Sequence, residues 1–303
     1  MIILQSSISY NCGQKLNIKT IIKKMLLEGA IGDAYGAGFE FAEQEIVKQE
    51  NDLTRYRPHP LFSSIFKKYT DDTQMSIGII ELLLEGRDWT VQNLADKFVT
   101  VFKRDIREGY AKRFYQLMTE VDSGEELLKK IIPKSERNGA AMRAYPIGIL
   151  DNELEIIEKT AIQASVTHQT EPAIISAQAI ALTSHFFIYN KGSKKNLLEY
   201  LAHFQQKKWS ANWQGRVKID GIQTVEAVLT ILLEEKSLAN ILKKSVDFGG
   251  DVDTVASLGL AIASQSEEYE QNLPQWLFDN LENGAYGRDY LTKLDRDFMD
   301  IKK

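Results

Sequence analysis

Two short acidic runs, Thr70-Asp71-Asp72-Thr73 and Asp251-Val252-Asp253-Thr254, set paired aspartates beside hydroxyl side chains, and each leads into an apolar stretch. This grouping of oxygen donors suits a site for two divalent cations. Four carboxylates converging on one cleft repel one another and raise their own pKa values unless cations neutralise them, and two divalent ions carry about the charge required. Neither run contains Cys or His, so the donors are hard oxygens, which favour Mg2+, Mn2+ or Ca2+ over Zn2+, with magnesium or manganese expected. Ser, Thr and Asp are also the residues that cap helix N-termini, and Asp71 with Gln74 resembles a capping box. A cap uses one oxygen, however, whereas each run offers three. Inside a helix Asp251 and Asp253 would diverge by about 200°. The second run therefore belongs at a turn-to-helix junction, with Gly249 and Gly250 supplying the backbone freedom for the turn.

The elements that must hold these runs are helical. Ile22, Met25, Leu26 and Ala30 share one helical face, as do Ile77, Ile80, Leu83 and Leu84. Apolar spacing at three and four residues predicts further helices at Val91 to Lys103, Tyr110 to Met118, Glu155 to Ala164, Ile174 to Tyr189, Gly221 to Glu234 and Val255 to Ser264. Alternating strand patterns are scarce, so an all-α fold is expected. The polar stretches Glu43 to His59, Lys191 to Lys195 and Gln205 to Gln214 read as loops between helices rather than domain linkers. The 303 residues, 44% of them hydrophobic, suffice for one large core, and no internal repeat interrupts them. Residues 1–20 read as an extension ahead of a single domain over 21–303.

Composition narrows the partners. A net charge of −5 argues against a nucleic-acid or acidic-membrane surface, both of which need basic faces. The most apolar segment, Ala173 to Tyr189, contains Ser176, Gln178, Ser184 and His185 and falls short of the roughly 20 residues that cross a bilayer. Cys12 is the one cysteine and forms no internal disulfide. The start Met1-Ile2-Ile3-Leu4-Gln5 has neither the basic flank nor the apolar length of a signal peptide. A cytoplasmic monomer acting on a small-molecule or protein substrate is the resulting expectation.

Five motifs in order carry a resemblance beyond spacing: Gly32-Asp33-Ala34-Tyr35-Gly36 followed by Glu40; Tyr69-Thr70-Asp71-Asp72-Thr73; Asn138-Gly139-Ala140-Ala141-Met142-Arg143; Thr167-His168; and Gly249-Gly250-Asp251-Val252-Asp253-Thr254. Together they resemble the motifs of the ADP-ribosylglycohydrolase family, with Val252 standing where the family commonly has threonine. The resemblance implies an all-α orthogonal bundle and two Mg2+ (or Mn2+) ions held by Thr70, Asp71, Asp72, Asp251, Asp253 and Thr254. It implies that Glu40, a carboxylate facing the metal cleft, acts with Asp72 and Asp251 in catalysis. Asn138, Gly139 and Ala140 would cradle the diphosphate and ribose, His168 would contact substrate, and Asp33 would support the site from behind. Arg107-Glu108-Gly109-Tyr110 weakly resembles a loop near the substrate entrance. Tyr110 or Tyr145 could stack on adenine, although core packing is the expectation for both. His59, His185 and His203 match no motif and receive no role.

The implied reaction is metal-dependent hydrolysis of the glycosidic bond joining ADP-ribose to a protein side chain, with arginine as the default linkage and ADP-ribose as product. An ADP-ribose-binding protein without turnover is the alternative from another class. A structural calcium protein ranks below it, since neither run has the EF-hand loop, and a metal-dependent phosphatase would commonly recruit His.

Overall fold

The computed structural model describes residues 24–302. Ile22, Cys12 and the whole of the expected N-terminal extension, residues 1–20, lie outside them. The helices, in chain order, are α1 (Met25–Ala37), α2 (Gln44–Glu50), α3 (Asp71–Glu85), α4 (Val91–Arg104), α5 (Lys112–Glu120), α6 (Gly124–Lys130), α7 (Glu153–Ser165), α8 (Glu171–Ile188), α9 (Leu197–Phe204), α10 (Gly221–Glu234), α11 (Leu238–Asp247), α12 (Val252–Ala263), α13 (Gln275–Asn280) and α14 (Arg288–Met299). Among the described residues there is no strand, only isolated bridges such as Val217 with Gly250. The all-α expectation holds, and every predicted helix is present to within a few residues at each end.

The α1–α12 pair forms the centre of the core, and every residue of both helices is buried. Their backbones meet because two glycines of α1 remove the side chains that would separate them. A Cβ on Gly32 would lie 2.4 Å from the Ala256 carbonyl oxygen, and one on Gly36 would lie 2.5 Å from the Asp253 Cα. The first motif is thus a packing surface, and it brings Asp33 on α1 close to the start of α12.

Five peripheral helices begin with a local cap: Thr90, Ser123, Asn152, Asp220 and Ser237 each accept an N–H of their own first turn. The three central helices do not. The first N–H groups of α1 go to Asp295 of α14, whose carboxylate accepts from Leu26 and Leu27 at 2.8 Å each. Those of α3 go to Asp33 of α1, and Asp251 at the N-cap of α12 makes no side-chain cap bond. The resemblance of Asp71 and Gln74 to a capping box is therefore not realised. Gln74 instead donates to the carbonyls of Val101 and Asp105, at 3.2 and 2.6 Å, because Asp33 already occupies the end of α3.

Two further corrections concern single elements. The stretch Glu43 to His59 is not all loop, since it contains α2, a short helix with one buried residue, Val47. On α3 the inward face takes Leu82, fully buried, while Leu84 is exposed at 36%.

Candidate metal and substrate site

The N-termini of α3 and α12 converge at the floor of a cleft of about 1030 Å3. The turn before α12 is built by Gly249 and Gly250, both left-handed at φ 68° and 92°, a conformation that suits glycine. Gly250 sits so close to Val217 that any Cβ would collide with the Val217 carbonyl oxygen. The turn is strapped by Asp251 N–H to Val217 O at 3.0 Å and Phe41 N–H to Gly250 O at 2.8 Å. Asp251, Asp253 and Thr254 leave this turn facing Asp71 and Asp72 at the start of α3, and all five line the cleft.

No side chain of either acidic run caps its own helix, which removes the capping explanation for both. Carboxylate oxygens of Asp33, Asp72 and Asp253 lie within 4.8 Å of one another, as do those of Glu40, Asp251 and Asp253. Thr254 Oγ1 lies 3.3 Å from Asp72 Oδ2 and 3.5 Å from Asp251 Oδ1 and joins the two runs. Asn138 donates to Asp251 Oδ2 at 2.5 Å. Asp72 Oδ1 and Asp253 Oδ1 are buried and have no hydrogen-bond partner among the described residues. Buried acceptors of this kind are costly and call for a cation or a donor.

Electrostatics agree. Burial pushes the Asp72 and Asp253 carboxyls well above the ordinary range, reinforced by Asp253 and Asp251 respectively. Burial also carries Asp251 up to about 7, helped by the charge of Glu40, and Asp71 up to about 7, helped by that of Asp33. Glu40 rises to about 7 through burial and the charge of Asp253. Oxygen donors only, two orphaned acceptors and carboxyls that resist ionisation together fit divalent cations.

Asp33 stands behind this cluster and is fully buried. Its oxygens accept from the Thr70 and Thr73 hydroxyls at 2.9 and 2.7 Å and from both backbone N–H groups at 2.9 to 3.1 Å. It caps α3 from another helix, which explains an aspartate inside an otherwise apolar segment. Thr70 is buried, with its hydroxyl proton given to Asp33, and lies behind the residues that line the cleft.

The opposite wall comprises Asn138, Gly139 and His168. Ala140 is fully buried rather than lining the cleft, and its carbonyl accepts from Gln163 at 2.9 Å. Arg143 organises this wall from within. It is 1% exposed and pairs with no carboxylate among the described residues, and it donates to Gly139 O, Gln163 Oε1 and O, and Thr167 Oγ1 at 2.6 to 3.1 Å. Burial lowers its pKa to about 9. Thr167 Oγ1 accepts from Arg143 and lies 2.6 Å from His168 Nδ1, an arrangement in which the hydroxyl can donate to Nδ1 and leave the imidazole proton on Nε2. Burial, aided by Arg143 and Arg137, lowers the His168 pKa to about 3, so the ring is neutral. Gly139 packs against it.

Sequence reasoning passed over several residues here. Lys112, Arg113, Lys130 and Arg137 line the cleft and oppose the acidic floor with cations, yet scattered surface cations have no spacing signature. Of the two candidate stacking tyrosines, Tyr145 is fully buried in the core. Tyr110 does line the cleft, with its hydroxyl donating to Gln74 Oε1 at 2.7 Å. His59, given no role from sequence, has its Nε2 2.6 Å from Glu40 Oε2.

The family model for ADP-ribosylglycohydrolase matches residues 15–302. The chain belongs to the ADP-ribosylglycohydrolase family. The match begins ahead of residue 21, so the family region takes in part of the expected N-terminal extension. The chain is 25% identical to the ADP-ribosylhydrolase ARH3 of Xenopus tropicalis, over 83% of this chain and 88% of that protein. It is 22% identical to the ADP-ribosyl-[dinitrogen reductase] glycohydrolase of Rhodospirillum rubrum, over 82% and 86%. A solved ADP-ribosylglycohydrolase-related protein complex shares the fold, with a TM-score of 0.69 at 20% identity over 94% of this chain and all of that one. The all-α fold read from apolar periodicity is the fold of this glycohydrolase family. No helix among the described residues is long and apolar enough to cross a membrane.

Proposed function

We propose that this glycohydrolase releases ADP-ribose from modified protein side chains, with an arginine linkage favoured, and that it uses two Mg2+ or Mn2+ ions. The observation that carries this reading is the pair of orphaned oxygens, Asp72 Oδ1 and Asp253 Oδ1, buried at the floor of a cleft whose walls carry cations. Asp71, Asp72, Asp251 and Asp253 would hold the ions, with the Thr70 and Thr254 hydroxyls beside them. When bound, such ions orient ribose hydroxyls and offset the charge that develops as a glycosidic bond breaks. The relatives named above supply the substrate class, since both are named for ADP-ribosyl hydrolysis.

The protein's own residues perform the other tasks. The cations Lys112, Arg113, Lys130 and Arg137 complement a diphosphate, and the Asn138–Gly139 segment offers a close wall for it. The neutral His168 presents an Nε2–H donor, set by the Arg143–Thr167 relay, to a hydroxyl or phosphate oxygen. Glu40, with its carboxyl poised near neutrality, is placed to hold or give up a proton at the leaving group or at water.

The test is ADP-ribose release from arginine- and serine-linked ADP-ribosylated proteins, with Mg2+ or Mn2+ and with chelator. Release that depends on metal supports the reading and names the linkage. ADP-ribose binding without release from either substrate would refute hydrolysis and leave a binding protein. A cytoplasmic, monomeric enzyme remains our expectation, tested by fractionation and by light scattering.

A further inference from the structure

Among the cluster's carboxylates that line the cleft, Glu40 alone comes from a segment between helices rather than from a helix end, and nothing within that segment immobilises its side chain. It faces Asp253 and Asp71, whose like charges push it away. Its backbone is held under strain, since the next residue, Phe41, is left-handed at φ 53°, a region disfavoured for a bulky side chain. The strap that holds Phe41 there is its N–H bond to Gly250 O in the turn before Asp251.

His59 meets the side chain of Glu40. It lies in Pro58-His59-Pro60, where the second proline restricts the histidine backbone to extended conformations, and its N–H bonds to Ile65 O at 2.9 Å. Its ring is buried, and Nδ1 accepts from the backbone N–H groups of Leu61 and Phe62 at 2.9 and 3.2 Å. With that lone pair engaged, the ring proton is on Nε2, 2.6 Å from Glu40 Oε2. Glu40 Oε1 is left without a donor and free to face the cleft.

We propose that His59 is a positioning residue that holds Glu40 against the repulsion of the aspartates, with one carboxylate oxygen fixed and the other presented to metal or substrate. The proposal rests on the hydrolase reading for its catalytic consequence, but its geometric content can be tested separately. Partners that orient a ligating or reacting group typically affect metal affinity or activity about 10- to 100-fold.

The experiment is a double-mutant cycle of His59→Asn with Glu40→Ala, read as kcat and KM for metal-dependent ADP-ribose release and as Mn2+ affinity by calorimetry. Asparagine at 59 keeps an oxygen that accepts backbone N–H groups two or three residues on but is too short to reach Glu40. A purely structural histidine would thus be replaced without loss. The expected result is a fall of about 10-fold or more in kcat or in Mn2+ affinity for His59→Asn, with KM little changed. In the Glu40→Ala background the same substitution should change either quantity less than about 2-fold, the non-additivity of residues that act together. Wild-type values for His59→Asn, or equal losses in both backgrounds, would overturn the proposal. If the unmutated enzyme releases no ADP-ribose from any linkage, the hydrolase reading fails by itself. The cycle is then decided on Mn2+ affinity, where the same two patterns support or overturn the positioning role.

Discussion

Gly32→Ala tests whether the approach of α1 to α12 sets the metal site. The added Cβ would stand 2.4 and 2.5 Å from the Ala256 carbonyl oxygen and carbon and 2.8 Å from Ser257 N, all backbone atoms of α12. Comfortable carbon contacts begin near 3.5 Å, so the helices must part by about 1 Å. Alanine gains about 1 kcal/mol of helix propensity. Against it stand about 1–3 kcal/mol for overpacking and the dispersion lost along a seam buried on both sides. A net loss of about 2 kcal/mol lowers the melting temperature by about 3 °C in a domain of this size. The same displacement moves Asp33, the next residue on α1, away from Asp253, so Mn2+ affinity should fall about 10-fold. Thermal unfolding and Mn2+ calorimetry measure both. Gly86→Ala is the control: it is left-handed at φ 60° with nothing within 4 Å of the new Cβ, so it should cost about 1–2 kcal/mol and leave Mn2+ affinity unchanged. A Gly32→Ala protein with wild-type melting and wild-type Mn2+ affinity would refute the reasoning.

Other perturbations separate charge, capping and substrate contact. Asp251→Asn should abolish turnover, yet in chelator at pH 8 it should melt at or above the wild-type temperature, because one buried like charge is gone. Asp251→Ala should likewise lose turnover with little change in helix content by circular dichroism. Without divalent ions, stability should fall as pH rises from about 4 to about 7. Over that window the unfolded chain has lost the carboxyl protons that Asp71, Asp251 and Glu40 still hold in the fold. Mg2+ should therefore raise the melting temperature more at pH 8 than at pH 5, and an equal rise at both would contradict the charge argument. Arg143→Lys keeps a cation but loses the fork that joins Gly139, Gln163 and Thr167. It should weaken ADP-ribose binding about 10-fold by calorimetry while leaving Mn2+ affinity within about 2-fold.

What sequence made legible divides along physical lines. Local periodicity carries helix identity, and Gly221–Glu234 was readable to the residue. The buried residues Leu238, Ile241, Leu242 and Val246 of α11, and Leu291, Leu294 and Phe298 of α14, have the same three-and-four spacing, so these two helices were within reach of the same reasoning. For α2 the signal was absent, because a helix with one buried residue has no apolar face. The acidic runs were legible because ligand chemistry restricts residue types at adjacent positions. Asp33 was legible as unusual but not as the cap of α3, since its partners lie 37 and 40 positions away. His59 had no pattern at all, because a single ring at the end of a proline-bounded loop becomes meaningful only once the fold brings it to Glu40.

The capping arrangement explains how this chain can keep so many carboxylates together. A helix N-terminus offers unpaired N–H groups and a positive dipole end, and an adjacent aspartate would ordinarily turn back onto them. Here Asp33 takes the N–H groups of α3, so Asp71 and Asp72 are not drawn back onto their own helix. At the N-cap of α12, Asp251 is held outward by Asn138. The helix dipoles still favour negative charge at both ends, while the carboxylates point at each other across the cleft. The remaining repulsion is a cost to the metal-free fold that Arg143 eases at Asp71 but does not cancel, since its own hydrogen bonds go to neutral partners. Sequences under selection for stability alone would replace one of these acids. Their joint presence, with two oxygens left unsatisfied, is therefore better explained by an ion-binding role than by packing, and substitutions that neutralise the cluster should trade activity for stability.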